Sequence, residues 1–215
     1  SAADPLPLAA HPPVDTIVRV AAGAEIPRGE LEAALAEATF VVLGEKHDNP
    51  RHHAVQAELV EHLGATTALD AVAFEMLPRD RQIDVTAHLQ QGGSVADLAE
   101  AVGWGELGWG PWTWYGPIVD AGHRHGATIV AADLTRDDAR AIYQSGFAAL
   151  DTAFVARTGL DEPLAEAERA ERVAAMVDAH CGHDMGAMAD AMVNVQRARD
   201  AVLADQLAKL TDDGR

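Results

Sequence analysis

Three short apolar runs in this chain each end in an acidic residue. Residues 40–43 run into Gly44-Glu45-Lys46-His47, residues 71–74 into Glu75, and residues 128–132 into Asp133. If the three are parallel strands buried on both faces, their carboxyl ends share one crevice, where open α/β sheets bind ligands. Carboxylates brought that close repel unless a cation, a proton or a hydrogen-bond network offsets them. Glu45, His47 and Glu75 are thus hard or borderline donors suited to a divalent ion. The plainer alternative is that each acid caps or tethers the helix that follows.

Histidines cluster nearby. Asn49 is a good N-cap, Pro50 suits the first helical position, and His52 and His53 follow within the first turn. At about 100° per residue, His52 and Gln56 point along the stripe of Val55, Leu59 and Leu63, with His53 at its edge. The spacing therefore predicts His52 facing inward near the strand ends and His53 supporting it. A helix N-terminus disfavours the cationic form, which suits a ligating or hydrogen-bonding imidazole. A buried histidine satisfied by backbone is the competing reading. His180-Cys181-Gly182-His183 precedes the last helix and could add one ligand from a turn, although one Cys and two His at this spacing make no zinc knuckle.

The segment WGELGWGPWTWY, residues 104–115, holds all four tryptophans and one of the two tyrosines. Its glycines and proline argue against an ordinary helix. Trp112, Trp114 and Tyr115 could then form a flat, amphipathic ligand wall, or the segment could be a loop pinned by buried aromatics.

The elements that position these residues alternate strand and helix. Besides the three runs, residues 16–20 form a strand candidate, and residues 28–38 and 50–64 have helical spacing. Pro78 opens a further helix, and a long last helix over residues 185–210 carries the stripe Met188, Met192, Val195, Ala198 and Val202. That order predicts an α/β fold, a mostly parallel sheet flanked by helices, with a smaller helical lobe from residues 77–117 and 135–180. The prolines in "PLPLAAHPP" make residues 1–15 a loose arm, leaving 16–215 as one domain, which 215 residues suit.

Composition narrows the function. Sixteen Lys and Arg against 34 Asp and Glu give a net charge of −18, which opposes broad contact with nucleic acid or an anionic membrane surface. No apolar run reaches the roughly 20 residues of a transmembrane helix. Cys181 is the only cysteine, so no disulfide forms within the chain. A phosphate-binding glycine loop, a G-x-S-x-G elbow and an H-E-x-x-H motif are all missing from the sequence.

LGEKHDNPRHHAVQ (43–56) resembles the opening motif of the ChaN-like haem-binding family, which sits beside the Tiki and erythromycin-esterase-like proteins. The resemblance continues in AFEM (73–76), WTWYGPIVDAG (112–122), AADL (131–134) and AHCGHDMGAMADAMVNVQRARD (179–200). It implies haem as ligand, a link to iron uptake through outer-membrane haem transport components, and a bacterial cell-envelope or periplasmic location. Members typically carry a signal or lipoprotein signal, and a chain trimmed behind one would start as this one does; no lipobox cysteine is present here. For the haem it implies Tyr115 and His52 as axial candidates, both chemically ordinary haem ligands. The Tiki relatives use Gly-Glu-x-His for metal-dependent hydrolysis. Carried over, that gives a peptidase- or esterase-like alternative with zinc or manganese on Glu45, His47, Glu75 and His180 or His183. A scaffold protein is a third possibility.

Haem brings two propionates to an acidic chain. Arg51 at one helix start, and Arg79 and Arg81 at another, could hold them locally. A flat macrocycle is hard to bury against one open loop, so a homodimer sharing the site is also expected.

Overall fold

The computed structural model describes residues 15–179 and 185–212. Its first element is a small antiparallel hairpin, β1 (Val18–Arg19) and β2 (Ala24–Glu25). Helices α1 (Arg28–Ala36) and α2 (Pro50–Thr66) follow, then strand β3 (Ala71–Pro78). Four helices separate β3 from β4 (Thr128–Asp133): α3 (Gln82–Gln90), α4 (Val95–Ala101), the single turn α5 (Trp104–Leu107) and α6 (Trp112–Arg124). The chain ends in α7 (Arg136–Ser145), α8 (Thr152–Thr158), α9 (Glu166–Ala179) and α10 (Ala187–Asp212). This is an α/β fold.

Its centre is the parallel pair β3–β4, in register from Ala71 opposite Thr128 to Phe74 opposite Ala131. Ile129 and Ala131 join Phe74 and Met76 in the larger core, closed by Val60 of α2, Leu98 of α4 and Tyr115, Ile118 and Val119 of α6. Val130 and Ala132, also buried, take the opposite face by strand alternation. Helix α10 packs on both strands and on α7. Ile142, Phe154, Leu160 and Val202 form a second apolar cluster with Leu134.

Two expectations are corrected. Residues 40–43 form no strand. Val42 is 82% exposed and Phe40 50%, so the run is not buried on both faces. Pro78 ends β3 instead of opening a helix; a single 3-10 turn, Arg79–Arg81, leads into α3. Between Phe74 and Pro78, β3 advances four residues while β4 advances only two, from Ala131 to Asp133. Such a bulge breaks the inside–outside alternation. Met76, Leu77 and Pro78 are buried in succession, and Glu75 is turned outward.

Helix α2 starts where its residues dictate. Asn49 accepts a hydrogen bond from the Arg51 N–H at 3.0 Å, with Pro50 at the first position. It does not stop at Gly64. A Cβ there would lie 2.5 Å from the His125 ring, so that glycine serves the close packing of α2 on α6, and the helix runs on to Thr66. In α10 the buried side chains are Ala189, Val193, Ala198, Ala201 and Val202, and Met188 of the expected stripe is 52% exposed. Replacing Asn49 with Ala should cost about 1 kcal/mol, the usual worth of an N-cap. Urea unfolding of Asn49→Ala against the wild type measures it, and an unchanged midpoint would remove the cap's role.

Candidate functional site

The site forms where residues 43–47 pass the N-terminus of α2. With no ladder to satisfy that backbone, side chains from α2 do it. Gln56 Nε2 donates to the Leu43 carbonyl at 3.0 Å, His52 Nδ1 accepts from the Lys46 N–H at 2.8 Å, and His53 Nε2 donates to the His47 carbonyl at 3.2 Å. The inward stripe is therefore His53, Gln56, Leu59, Val60 and Leu63. His53 is fully buried and His52 only half-buried, the reverse of the expected pair.

Glu45 is drawn in as a result. Its side chain is 6% exposed, and Oε1 accepts from the Tyr115 hydroxyl at 3.2 Å and from His47 Nδ1 at 2.7 Å. Oε2 lies 3.0 Å from His53 Nδ1 without hydrogen-bond geometry. Tyr115 is fully buried, and burial first, then the Glu45 charge, hold its phenol well above the ordinary tyrosine range.

His47 stands differently. Its Nδ1–H is fixed on Glu45, so in the neutral ring Nε2 carries the lone pair. Its side chain is 46% exposed, Nε2 is 3.9 Å from Glu75 Oε1, and the ring lies 4.8 Å from that of Trp109. In His52, by contrast, Nδ1 accepts from a backbone N–H, so a neutral ring must carry its proton on Nε2.

The aromatic segment divides between wall and core. Gly108 lies between α5 and Pro111, and Trp112, Trp114 and Tyr115 are helical, not loop residues as expected. Trp104 is buried and donates to the Gly110 carbonyl at 2.9 Å; Trp112 donates to the Val95 carbonyl at 2.9 Å. Trp114 stacks on His53 at 5.5 Å, and a Cβ at Gly110 would lie 2.6 Å from its ring. Only Trp109 stands beside His47.

The remaining candidates are occupied or remote. Arg51 pairs with Glu58 and Asp15, Arg79 with Asp138, and Arg81 with Asp84. His180 and His183 lie outside the described residues. Among the described residues no group of three His, Cys, Asp or Glu side chains could hold a metal ion. What the sequence reading missed is a cavity of about 150 Å³ with Trp109, Arg136, Arg199 and Asp133 in its wall. Arg199 belonged to a recognised motif, but nothing local signalled that it faces the strand ends.

In a Tyr143→Phe background Tyr115 is the only tyrosine. Its raised phenol stabilises the fold below the ordinary tyrosine value near 10, and that stability is lost as pH climbs above it. Phenolate absorbance should then rise only together with loss of the folded circular dichroism signal. Ionisation with the fold intact would contradict the Tyr115–Glu45 contact.

A family model described as "Haem-binding uptake, Tiki superfamily, ChaN" matches residues 31–215. Among solved structures the fold matches "Cofacial heme binding to ChaN of Campylobacter jejuni" with a TM-score of 0.69, at 20% identity over 89% of this chain and 74% of that one. No curated protein sequence matches. The match over residues 31–215 decides the assignment: this chain belongs to the haem-binding uptake family ChaN of the Tiki superfamily.

Proposed function

We propose that this chain binds haem for uptake, with His47 Nε2 as the donor to iron and Trp109 against the macrocycle. The carrying observation is the Glu45–His47 contact at 2.7 Å, which fixes the ring and leaves the solvent-side nitrogen its lone pair. Metal-ligating histidines almost always have such a partner on the other nitrogen. The residues fit the group: haem iron needs one or two axial donors and an apolar slot, and an exposed imidazole beside an indole supplies both. When bound, the haem contributes a Lewis-acidic iron and two carboxylates; the chain orients the imidazole and shields one face. The hydrolase reading has less support, because the family model that matches is described by haem-binding uptake.

The cavity beside Trp109, about 150 Å³, is too small for a macrocycle, since enclosing pockets run to roughly 300–1,000 Å³. The haem therefore lies against a surface, and we infer that a second copy of the chain covers its other face. No described helix is long and apolar enough to cross a membrane. The family's uptake role supports a cell-envelope location and exchange with outer-membrane transport components.

Ferric haem titrated into the wild type should give a saturable Soret band. His47→Ala should shift that band and weaken binding by tenfold or more, and Glu45→Gln, which only orients the ring, by about 10- to 100-fold. His52→Ala and Tyr115→Phe should keep the wild-type spectrum. No Soret band with excess haem would end the haem reading. A shift confined to His52→Ala or Tyr115→Phe would move the iron away from His47. Sedimentation should show the loaded chain as a dimer, and a haem-bound monomer at high concentration would remove the shared face.

A further inference from the structure

We propose that Tyr115, Trp104 and Trp112 form an electron relay between the ligand face and the surface, through which an oxidant of the peroxide class, reacting at the bound haem, is reduced from solvent. The inference rests on the haem reading above and adds a second activity to it. Trp112 of α6 meets Trp104 of α5 edge-on, 4.8 Å between ring centroids, and Trp104 lies 4.9 Å from Tyr115. Rings in such contact have overlapping π-systems and exchange electrons readily. At the inner end the Tyr115 hydroxyl donates to Glu45 Oε1 at 3.2 Å, and the same oxygen accepts from His47 Nδ1 at 2.7 Å. Two hydrogen bonds therefore join the iron donor to the phenol. Trp104 and Tyr115 are buried, and Trp112 at the outer end is half-buried.

The three rings differ in what becomes of their protons. A phenol that has lost one electron is a strong acid and sheds its proton, and Tyr115 has a carboxylate within hydrogen-bond reach to take it. The electron leaves the ring, the O–H bond breaks, and the proton crosses to Glu45 Oε1, which returns it when the ring is reduced again. Glu45 Oε2 has no hydrogen-bond partner, so no bond on that oxygen opposes the change. The indoles are held differently. Trp104 Nε1 donates to the Gly110 carbonyl and Trp112 Nε1 to the Val95 carbonyl, each at 2.9 Å. A backbone carbonyl accepts a hydrogen bond without taking the proton, so an oxidised indole here keeps its N–H and draws an electron from its neighbour. Tyr115 is where the radical rests, and the two indoles are the route by which it is refilled.

The electrons balance against the peroxide. Each peroxide takes up two electrons and two protons as its O–O bond breaks, giving two hydroxyl products. Two passages along the relay supply the electrons. A one-electron reductant such as ascorbate, meeting Trp112 at the surface, replaces them, and the protons come from solvent. Packing alone accounts for buried rings. It does not account for a carboxylate on the one phenol among them and a carbonyl on each of the two indoles.

The test begins on the full chain without haem. Changing Tyr143, Trp109 and Trp114 to Phe leaves Trp104, Trp112 and Tyr115 as the only oxidisable rings. Azide radical from pulse radiolysis then oxidises the half-buried indole and does not reach the buried phenol. The indolyl absorbance should decay at a rate independent of protein concentration while the phenoxyl band rises. Adding Trp104→Phe should remove most of the phenoxyl yield, and Glu45→Gln, an acceptor without the base, should slow its formation about 100-fold. Circular dichroism melts confirm that each variant is folded. No phenoxyl band in the folded background chain, or an unchanged one with Trp104→Phe, overturns the relay whatever haem does. The second arm uses the haem-loaded wild type and hydrogen peroxide with ascorbate. Freeze-quenched electron paramagnetic resonance should show a tyrosyl signal absent from Tyr115→Phe, and peroxide should bleach the Soret band faster in Tyr115→Phe and Trp104→Phe. No tyrosyl signal and equal bleaching overturn the proposed role. No Soret band with excess haem overturns that role together with the haem reading, and is told apart by the first arm, which needs no haem.

Discussion

A stretch of chain that lacks a β partner must have its N–H and C=O groups satisfied some other way, and residues 43–47 obtain much of this from one helix. Three polar side chains from the first turns of α2, His52, His53 and Gln56, do for this backbone what a neighbouring strand would do. The rest of the site depends on that arrangement. It sets Glu45 under cover, where the carboxylate can collect Tyr115 and His47, and it leaves the far edge of the His47 ring toward solvent. A hydrophobic α2 would pack as well and would hold none of this in place.

Burying Glu45 is costly unless donors reach it. Tyr115 and His47 both donate to Oε1, while Oε2 lies 3.0 Å from His53 Nδ1 without a hydrogen bond. The same environment holds the Tyr115 phenol above its ordinary range and orients the His47 ring. At longer range the field of an acidic chain repels an anionic ligand and slows capture more than it weakens the bound state.

What could be read from the sequence was what local chemistry decides. Asn49-Pro50 marks the start of α2, and the run into Asp133 is a strand, because capping and β-branched patterning act over a few residues. The α/β class and the family followed from the order of such pieces. The exposure of Phe40 and Val42 was not readable, since it depends on which element fails to lie beside them. The exchange of His52 and His53 is one step of helical phase, set by the backbone that α2 must grip. The bulge in β3 belongs to its pairing with β4, so nothing in AFEM announces that Glu75 turns outward. Arg136 and Arg199 meet only through the packing of α10 on β4 and α7.

The attachment of residues 43–47 also has a dynamic meaning. Core strands open only when the whole molecule does, whereas a segment tied by a few side-chain bonds to one helix can release by itself at much lower free energy. The segment bearing Glu45 and His47 is close to such a unit: its backbone ties run to the first turns of α2, one side-chain bond joins Glu45 to Tyr115 of α6, and the chain just before it meets water at Val42. Amide exchange there is then governed by detachment from α2, not by global unfolding. A ligand gripping His47 from outside would close that motion and spend part of its binding free energy on order. Affinity in this chain is accordingly tuned as much by how firmly α2 holds the free segment as by any atom that touches the ligand.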